Sequence, residues 1–197
     1  MDPVKRASAP EIEVQFMGPE TVERKVAQFR NIYRDAFTTP PWDEPAVYAA
    51  RFVRQLKEIS KAPGFRCVAA FKETGGMVGF ALGYPPQAHQ DLLAQLVEAL
   101  GTQQANHLLP DSFYLAELAV IGSHQRRGVG SRLHEALLRE SGSEKALATV
   151  REDTPGFDFF MAHGWEVTAS IAEFYHPGQE MAPWLPAVLI TRMNPGD

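Results

Sequence analysis

The chain has 197 residues, of which 45% are hydrophobic and 22% charged, and its formal net charge is -5. That length and balance predict one globular domain with a sizeable core, preceded by a polar tail over residues 1–10 that lacks the apolar run of a signal peptide. The acidic balance argues against nucleic acid or an anionic membrane as a partner, no apolar run approaches the roughly 20 residues of a membrane span, and the single Cys67 rules out an intrachain disulfide and suits the reducing cytoplasm.

Residues 11–16 (EIEVQF) alternate polar and apolar, which predicts a half-buried strand. From Pro19, the residues Val22, Val26, Phe29, Tyr33 and Phe37 follow at three- and four-residue steps and predict one amphipathic helix. Residues 38–45 (TTPPWDEP) break it, because Pro40, Pro41 and Pro45 remove backbone donors. Tyr48, Phe52, Leu56 and Ile59 mark a second helix, ended by Pro63 and Gly64. Two apolar runs, 65–71 and 77–84, flank Glu73, Thr74, Gly75 and Gly76 and predict a β-hairpin.

Leu92, Leu93, Leu96, Val97 and Leu100 then predict a helix that Gly101 ends, inside a segment (84–111) that reads as an insertion between strands. Residues 112–121 (SFYLAELAVI) are apolar on both faces except for Glu117, the pattern of a central buried strand. A Gly- and Arg-rich turn leads into a helix over 131–140. A strand (146–150), a short helix (155–163) and strands at 165–171 and 187–191 complete the chain. Such an order predicts a mixed α/β sheet with helices on both faces.

The most informative segment is the turn Gln125-Arg126-Arg127-Gly128-Val129-Gly130-Ser131, which joins a buried strand directly to a helix. Backbone N–H groups at a helix N-terminus form an anion nest, glycines allow close approach, and Arg126 and Arg127 offer charge-assisted hydrogen bonds. A Walker loop is excluded, because Gly130 is followed by Ser131 and Arg132. A dinucleotide fingerprint is excluded too, because Leu133 stands at the third glycine position. The plain competitor is a Gly-containing turn with two solvated arginines. No histidine pair or Cys/His cluster has metal-ligand spacing, and no G-x-S-x-G elbow occurs.

Gln125-x-x-Gly128-x-Gly130 resembles the Q/R-x-x-G-x-G/A signature of the GNAT superfamily of N-acetyltransferases. Leu118-Ala119-Val120 is similar to the family strand before that signature. Thr149-Val150 and the run from Phe159 to Trp165 resemble its later strand and F-Y-x-x-x-G-F segment. The resemblance implies a mostly antiparallel sheet of six to seven strands, with the fourth and fifth splayed into a cleft. It implies acetyl-CoA (or coenzyme A) as cofactor, with no metal, and acetyl transfer to a primary amine. Pantetheine would lie along Leu118, Ala119 and Val120, the diphosphate at Gln125, Arg126, Arg127, Gly128, Val129, Gly130 and Ser131, and the cofactor against Phe160.

An attacking amine must lose a proton, and Glu117, the lone charge in its strand, is the candidate base; a structural pairing with an arginine is the competing reading. The family tyrosine that reprotonates the leaving thiolate corresponds to Phe160, which has no proton to give. An Asn common in the family is absent from Asp153-Thr154-Pro155. Tyr114, Tyr175 and His176 are the remaining acid candidates. Trp42, Asp43 and Glu44 lie where the family places a substrate-covering loop, and residues 174–186 are a second candidate wall. A small-molecule amine is the leading acceptor. A protein N-terminus or lysine is the enzymatic alternative, and a non-catalytic CoA-binding module the other. A homodimer follows from the family rather than from these residues.

Overall fold

The computed structural model describes residues 12–174 and 185–193. The expected tail over 1–10, the acid candidates Tyr175 and His176, and most of the 174–186 wall lie outside the described residues. In chain order the elements are β1 (Ile12–Phe16), α1 (Pro19–Arg24), α2 (Val26–Phe37), α3 (Val47–Ile59), β2 (Arg66–Lys72) and β3 (Met77–Tyr84). They continue with α4 (Gln90–Leu108), β4 (Ser112–Val120), α5 (Val129–Ser141), β5 (Lys145–Val150), α6 (Pro155–Ala162), β6 (Glu166–Phe174) and β7 (Leu185–Met193). One seven-stranded sheet runs in the order β1-β2-β3-β4-β5-β7-β6. Every neighbouring pair is antiparallel except β4 and β5, which are parallel.

Each face of the sheet has its own apolar layer. Phe29 and Phe52 pack on Phe80 at ring distances of 4.9 and 5.5 Å, together with Leu92 and Leu96, so α1, α2, α3 and α4 cover one face. Val129, Leu133, Leu137 and Phe160 pack on Val78, Ala81 and Ala148, so α5 and α6 cover the other. Cys67 is fully buried among the first set, as a small apolar residue. Among the described residues no helix is long and apolar enough to cross a membrane.

Two helix boundaries differ from the periodicity. The predicted single helix from Pro19 to Phe37 is broken at Lys25 (φ -101°, ψ 11°). The apolar stripe continues across that turn, so side-chain spacing alone does not reveal it. Gly101 leaves helical geometry (φ 70°, ψ 159°), but helix resumes as far as Leu108 and buries Ala105. The segment read as an insertion therefore belongs to the core through α4.

β4 carries the feature that shapes the site. Leu82 pairs with Glu117 and Gly83 with Leu115, which leaves Ala116 as an extra residue, a β-bulge. An extra residue reverses which side chains face which side. Tyr114, before the bulge, and Ala119, after it, both join the α1–α4 layer, whereas Phe113 and Leu115 join the other. Glu117, two residues before Ala119, is thereby placed on the α1–α4 side.

Gly83 makes that close approach possible, because a Cβ there would collide with the Tyr114 carbonyl and the Phe113 ring. Gly83→Ala is expected to cost about 1–3 kcal/mol of stability, the usual penalty of overpacking. Urea denaturation would read this as a lowered midpoint with an unchanged slope.

Candidate active site

β4 and β5 are bonded only at their beginnings: Ser112 with Lys145, Phe113 with Ala146, and Tyr114 with Leu147. Beyond those pairs the strands part. A cavity of about 360 Å³ opens there, lined by Leu115–Val120 of β4 and by Ala148, Thr149 and Val150 of β5. One edge of this part of β4 is bonded to β3. The edge facing β5 has no strand partner and offers its backbone groups to whatever enters, and buried backbone polar groups require partners. Leu118, Ala119 and Val120 all border this opening.

At one end of the cavity lies the Gly- and Arg-rich turn. Arg126 (φ 57°) and Gly128 (φ 79°) both adopt left-handed backbone, the alternation that turns successive N–H groups into one concavity. Among the described residues the N–H groups of Arg126, Arg127, Gly128, Val129, Gly130 and Ser131 meet no protein acceptor. The first bond of the helix is Arg132 N–H to Gly128 O at 3.1 Å. A Cβ built on Gly128 would meet no protein atom within 4 Å. The turn is an open cradle of donors at the start of a 13-residue helix, which suits a diphosphate.

The side chains of this turn divide their work. Gln125 donates to the Val120 carbonyl at 2.9 Å, which fastens the turn to the end of β4. Asp35 of α2 accepts from the Gly122 N–H at 2.7 Å and braces the turn from the other side. Ser131 is held by His163: Nδ1 of that ring donates to the Phe159 carbonyl 2.7 Å away, and Nε2 lies 2.9 Å from the Ser131 hydroxyl. Arg126 lines the cavity, whereas Arg127 is exposed and is not among the residues that line it. The Val129 side chain is buried in the α5 layer, which leaves only its N–H for a ligand.

On the α1–α4 side the walls are Tyr33, Phe37, Trp42, Glu44 and Tyr48. Trp42 packs edge-on against Phe37 at 5.4 Å and closes over Gly156 at the start of α6. Trp42 thus anchors the loop and lines the cavity at once. The backbone N–H of Glu44 bonds the Phe37 carbonyl at 2.9 Å, and its Oε2 accepts from the Tyr33 hydroxyl at 2.8 Å. Asp43, in left-handed backbone, points to solvent and is not part of the lining.

Glu117 borders the same cavity and forms no ion pair among the described residues; the one such pair is Arg151 with Asp153 at 2.7 Å. The competing reading, a structural arginine partner, finds no support there. Burial, reinforced by the negative charge of Glu44, pushes the Glu117 carboxyl well above the usual range, against a smaller opposing effect from the Leu118 backbone. Burial also raises Glu44, opposed by Tyr33 and Arg151.

Of the acid candidates, Tyr114 is fully buried and meets the Thr149 hydroxyl at 2.7 Å instead of facing the cavity directly. Phe160 lines the cavity and stacks edge-on against Trp165 at 5.0 Å. At the position of the missing Asn, Asp153 is bound to Arg151, and Thr154 donates to the Arg151 carbonyl at 2.6 Å. Tyr33, Asp35 and Thr149 were not singled out from the sequence as site residues. For Tyr33 and Thr149 the available signal was a hydroxyl on an otherwise apolar, core-facing stripe, whereas the exposed Asp35 carried none.

The donor cradle, the unpartnered strand edge and the open gap together fit a long polar ligand with an anionic group such as a diphosphate at one end. A sequence model described as Acetyltransferase (GNAT) family matches residues 26–165. No curated protein sequence matches the chain. Among solved structures the chain is similar to yncA of Salmonella typhimurium, solved with its cofactor acetyl-CoA. The two share 15% identity over 93% of this chain and 94% of that one, with a TM-score of 0.61. It is also similar to a ribosomal-protein-alanine N-acetyltransferase from Brucella melitensis (18% identity, 92% and 99% covered, TM-score 0.61). A third likeness is to the paia N-acetyltransferase of Thermoplasma acidophilum, solved with coenzyme A (14% identity, 93% and 99% covered, TM-score 0.57). At these identities the likeness establishes the fold.

Gly128→Ala forces a Cβ into left-handed backbone, which costs an ordinary residue roughly 1–2 kcal/mol. Calorimetry is expected to show coenzyme A binding weakened about tenfold or more.

Proposed function

The chain belongs to the GNAT acetyltransferase family, and on that premise we propose that it transfers an acetyl group from acetyl-CoA to the primary amine of a small molecule. The observation that carries this reading is the placement of Glu117, a carboxylate without an ion-pair partner among the described residues, beside the open edge of β4 whose far end leads to the donor cradle. The turn at 126–131 would hold the diphosphate, and the free edge of Leu118, Ala119 and Val120 the pantetheine arm. The acetyl thioester, when bound there, supplies an activated carbonyl carbon.

The chain's own residues account for the rest. An amine arrives mostly as its ammonium form, because an alkylamine titrates near 10. Glu117 and Glu44 attract that cation. Tyr33, Phe37, Trp42 and Tyr48 exclude water around it. A carboxylate at Glu117 with a raised pKa is a better proton acceptor than an ordinary one, and it takes the proton that frees the nitrogen lone pair. A backbone N–H of β4 directed into the gap would polarise the carbonyl, the usual service of fixed donors to a developing oxyanion. Trp42 closing over Gly156 narrows the acceptor end. Such a mouth suits a compact amine better than a folded protein's surface lysine or N-terminus.

Glu117→Gln is expected to bind coenzyme A with wild-type affinity in calorimetry while losing about 10²–10⁴-fold in thiol release. Wild-type protein that binds coenzyme A but releases no thiol across a broad amine panel would favour a non-catalytic binding module. Proton acceptance by Glu117 also sets the pH profile. Only its ionised form accepts a proton and its carboxyl is raised, so kcat/KM should climb with pH along a limb above the ordinary carboxylate range. Glu44→Gln removes the neighbouring negative charge, which makes Glu117 easier to ionise. The limb should therefore move to lower pH, as a pH–rate series in the two proteins would record.

A further inference from the structure

Acetyl transfer leaves a sulfur atom with growing negative charge, and Phe160 has no donor to offer it. We propose that the Thr149 hydroxyl is the hydrogen-bond donor to that leaving sulfur, with the buried Tyr114 as its positioning residue. The proposal rests on the acetyl-transfer reading above and names a group that neither the GNAT signature nor the carboxylates account for.

The register of the two strands places Thr149. Tyr114 and Leu147 form the last bonded pair of β4 and β5. Thr149 lies two residues further along β5. Glu117 lies three further along β4, but Ala116 is the extra residue of the bulge. Allowing for that bulge, Glu117 and Thr149 stand at the same level on opposite walls of the widening gap, and both line the cavity. A carbonyl carbon between them would have the amine on the Glu117 side and the sulfur on the Thr149 side.

Hydrogen-bond satisfaction gives the direction of the Thr149 hydroxyl. The Tyr114 side chain is 1% exposed, and its oxygen lies 2.7 Å from Thr149 Oγ1. A buried O–H that makes no hydrogen bond is costly, and Thr149 Oγ1 is the acceptor in reach among the described residues. The phenol therefore donates and the threonine oxygen accepts. Burial also pushes the phenol pKa up, so Tyr114 keeps its proton. Among the described residues the hydrogen of Thr149 is left without a protein acceptor, on a side chain that borders the cavity.

In the step itself Glu117, having passed the ammonium proton on to water, accepts the second proton that the amine nitrogen sheds as it bonds to the carbonyl carbon. The C–S bond breaks, and its electron pair stays on sulfur. An alkanol is a much weaker acid than a thiol, so the threonine proton remains on Oγ1 and acts by hydrogen bonding alone. Glu117 returns its proton to water, and the released thiolate takes one from water. The net reaction is an amine and a thioester giving an amide and a thiol.

The test is the ionisation of coenzyme A bound to the intact protein, followed through thiolate absorbance as pH rises, alongside the rate of thiol release. Thr149→Val keeps the shape and the strand preference but removes the donor. It should raise the pKa of the bound thiol by a unit or more and slow transfer roughly 10- to 100-fold, as expected for a lost hydrogen bond to a charged group. Affinity for desulfo-coenzyme A should be unchanged. Thr149→Ser should restore both quantities. Tyr114→Phe should give a smaller shift of the same sign, because Thr149 is then free to turn away.

A Thr149→Val protein whose bound thiol titrates like wild type overturns the proposal. So does an equal loss of affinity for desulfo-coenzyme A, which would make the hydroxyl a cofactor anchor. If wild type binds coenzyme A but acetylates no amine, the acetyl-transfer reading fails, yet the thiol titration still decides the role of Thr149. If wild type binds no coenzyme A, both fail.

Discussion

Beyond Tyr114 and Leu147, β4 and β5 share no backbone pairing, and the backbone groups along that opening need partners from elsewhere. Either strand could have been closed by its neighbour over its whole length. Instead the bulge at Ala116 re-aims β4 in mid-strand, while β5 stays bonded to β7 along its other edge from Lys145 to Val150. The turn that follows β4 extends the same condition, because the N–H groups of residues 126–131 also lack acceptors among the described residues. Strand edge and turn form two stretches of one track of unengaged groups, separated by the Val120 carbonyl and the N–H groups of Ile121, Gly122, His124 and Gln125, which the protein itself engages. Such a track is stable only if it stays wet or takes up a polar ligand of matching length.

The surroundings hold that track open. Gln125 and Asp35 bind its two flanks, and His163 fixes Ser131 within it. On the opposite side the Trp42 loop folds down on Gly156 and brings Glu44 towards Glu117. Two carboxylates sharing an aromatic-walled space repel each other, and a cation relieves that repulsion. The strand-edge opening and the aromatic-walled pocket therefore meet at Glu117, and the bulge is the reason that side chain faces the pocket at all. Sheet irregularity and chemistry are the same feature viewed at two scales.

Much of this was legible in the residues. The alternation in EIEVQF, the Gly75-Gly76 hairpin and the apolar run around Glu117 located their elements within a few positions. Gln125, Gly128 and Gly130 marked the cradle, because its geometry depends on backbone freedom that glycine advertises. The break at Lys25 was hidden, since the apolar stripe carries on across it. The bulge was hidden for a related reason: SFYLAELAV is apolar on both faces, so a change of parity leaves no trace in the pattern. That same blindness made Tyr114 a candidate to face the ligand, although the structure buries it behind Thr149. Asp43 and Glu44 look equivalent in sequence, and only the backbone turn at Asp43 (φ 46°) separates an exposed side chain from a pocket wall.

Amide hydrogen exchange, resolved to single residues with and without acetyl-CoA, tests the central claim most directly. The account predicts fast exchange at residues 126–131 in the free protein, because those N–H groups lack protein acceptors, and strong slowing there and along 115–120 when the ligand is present. Slow exchange at those amides in the free protein, or no change on adding saturating ligand, would contradict it.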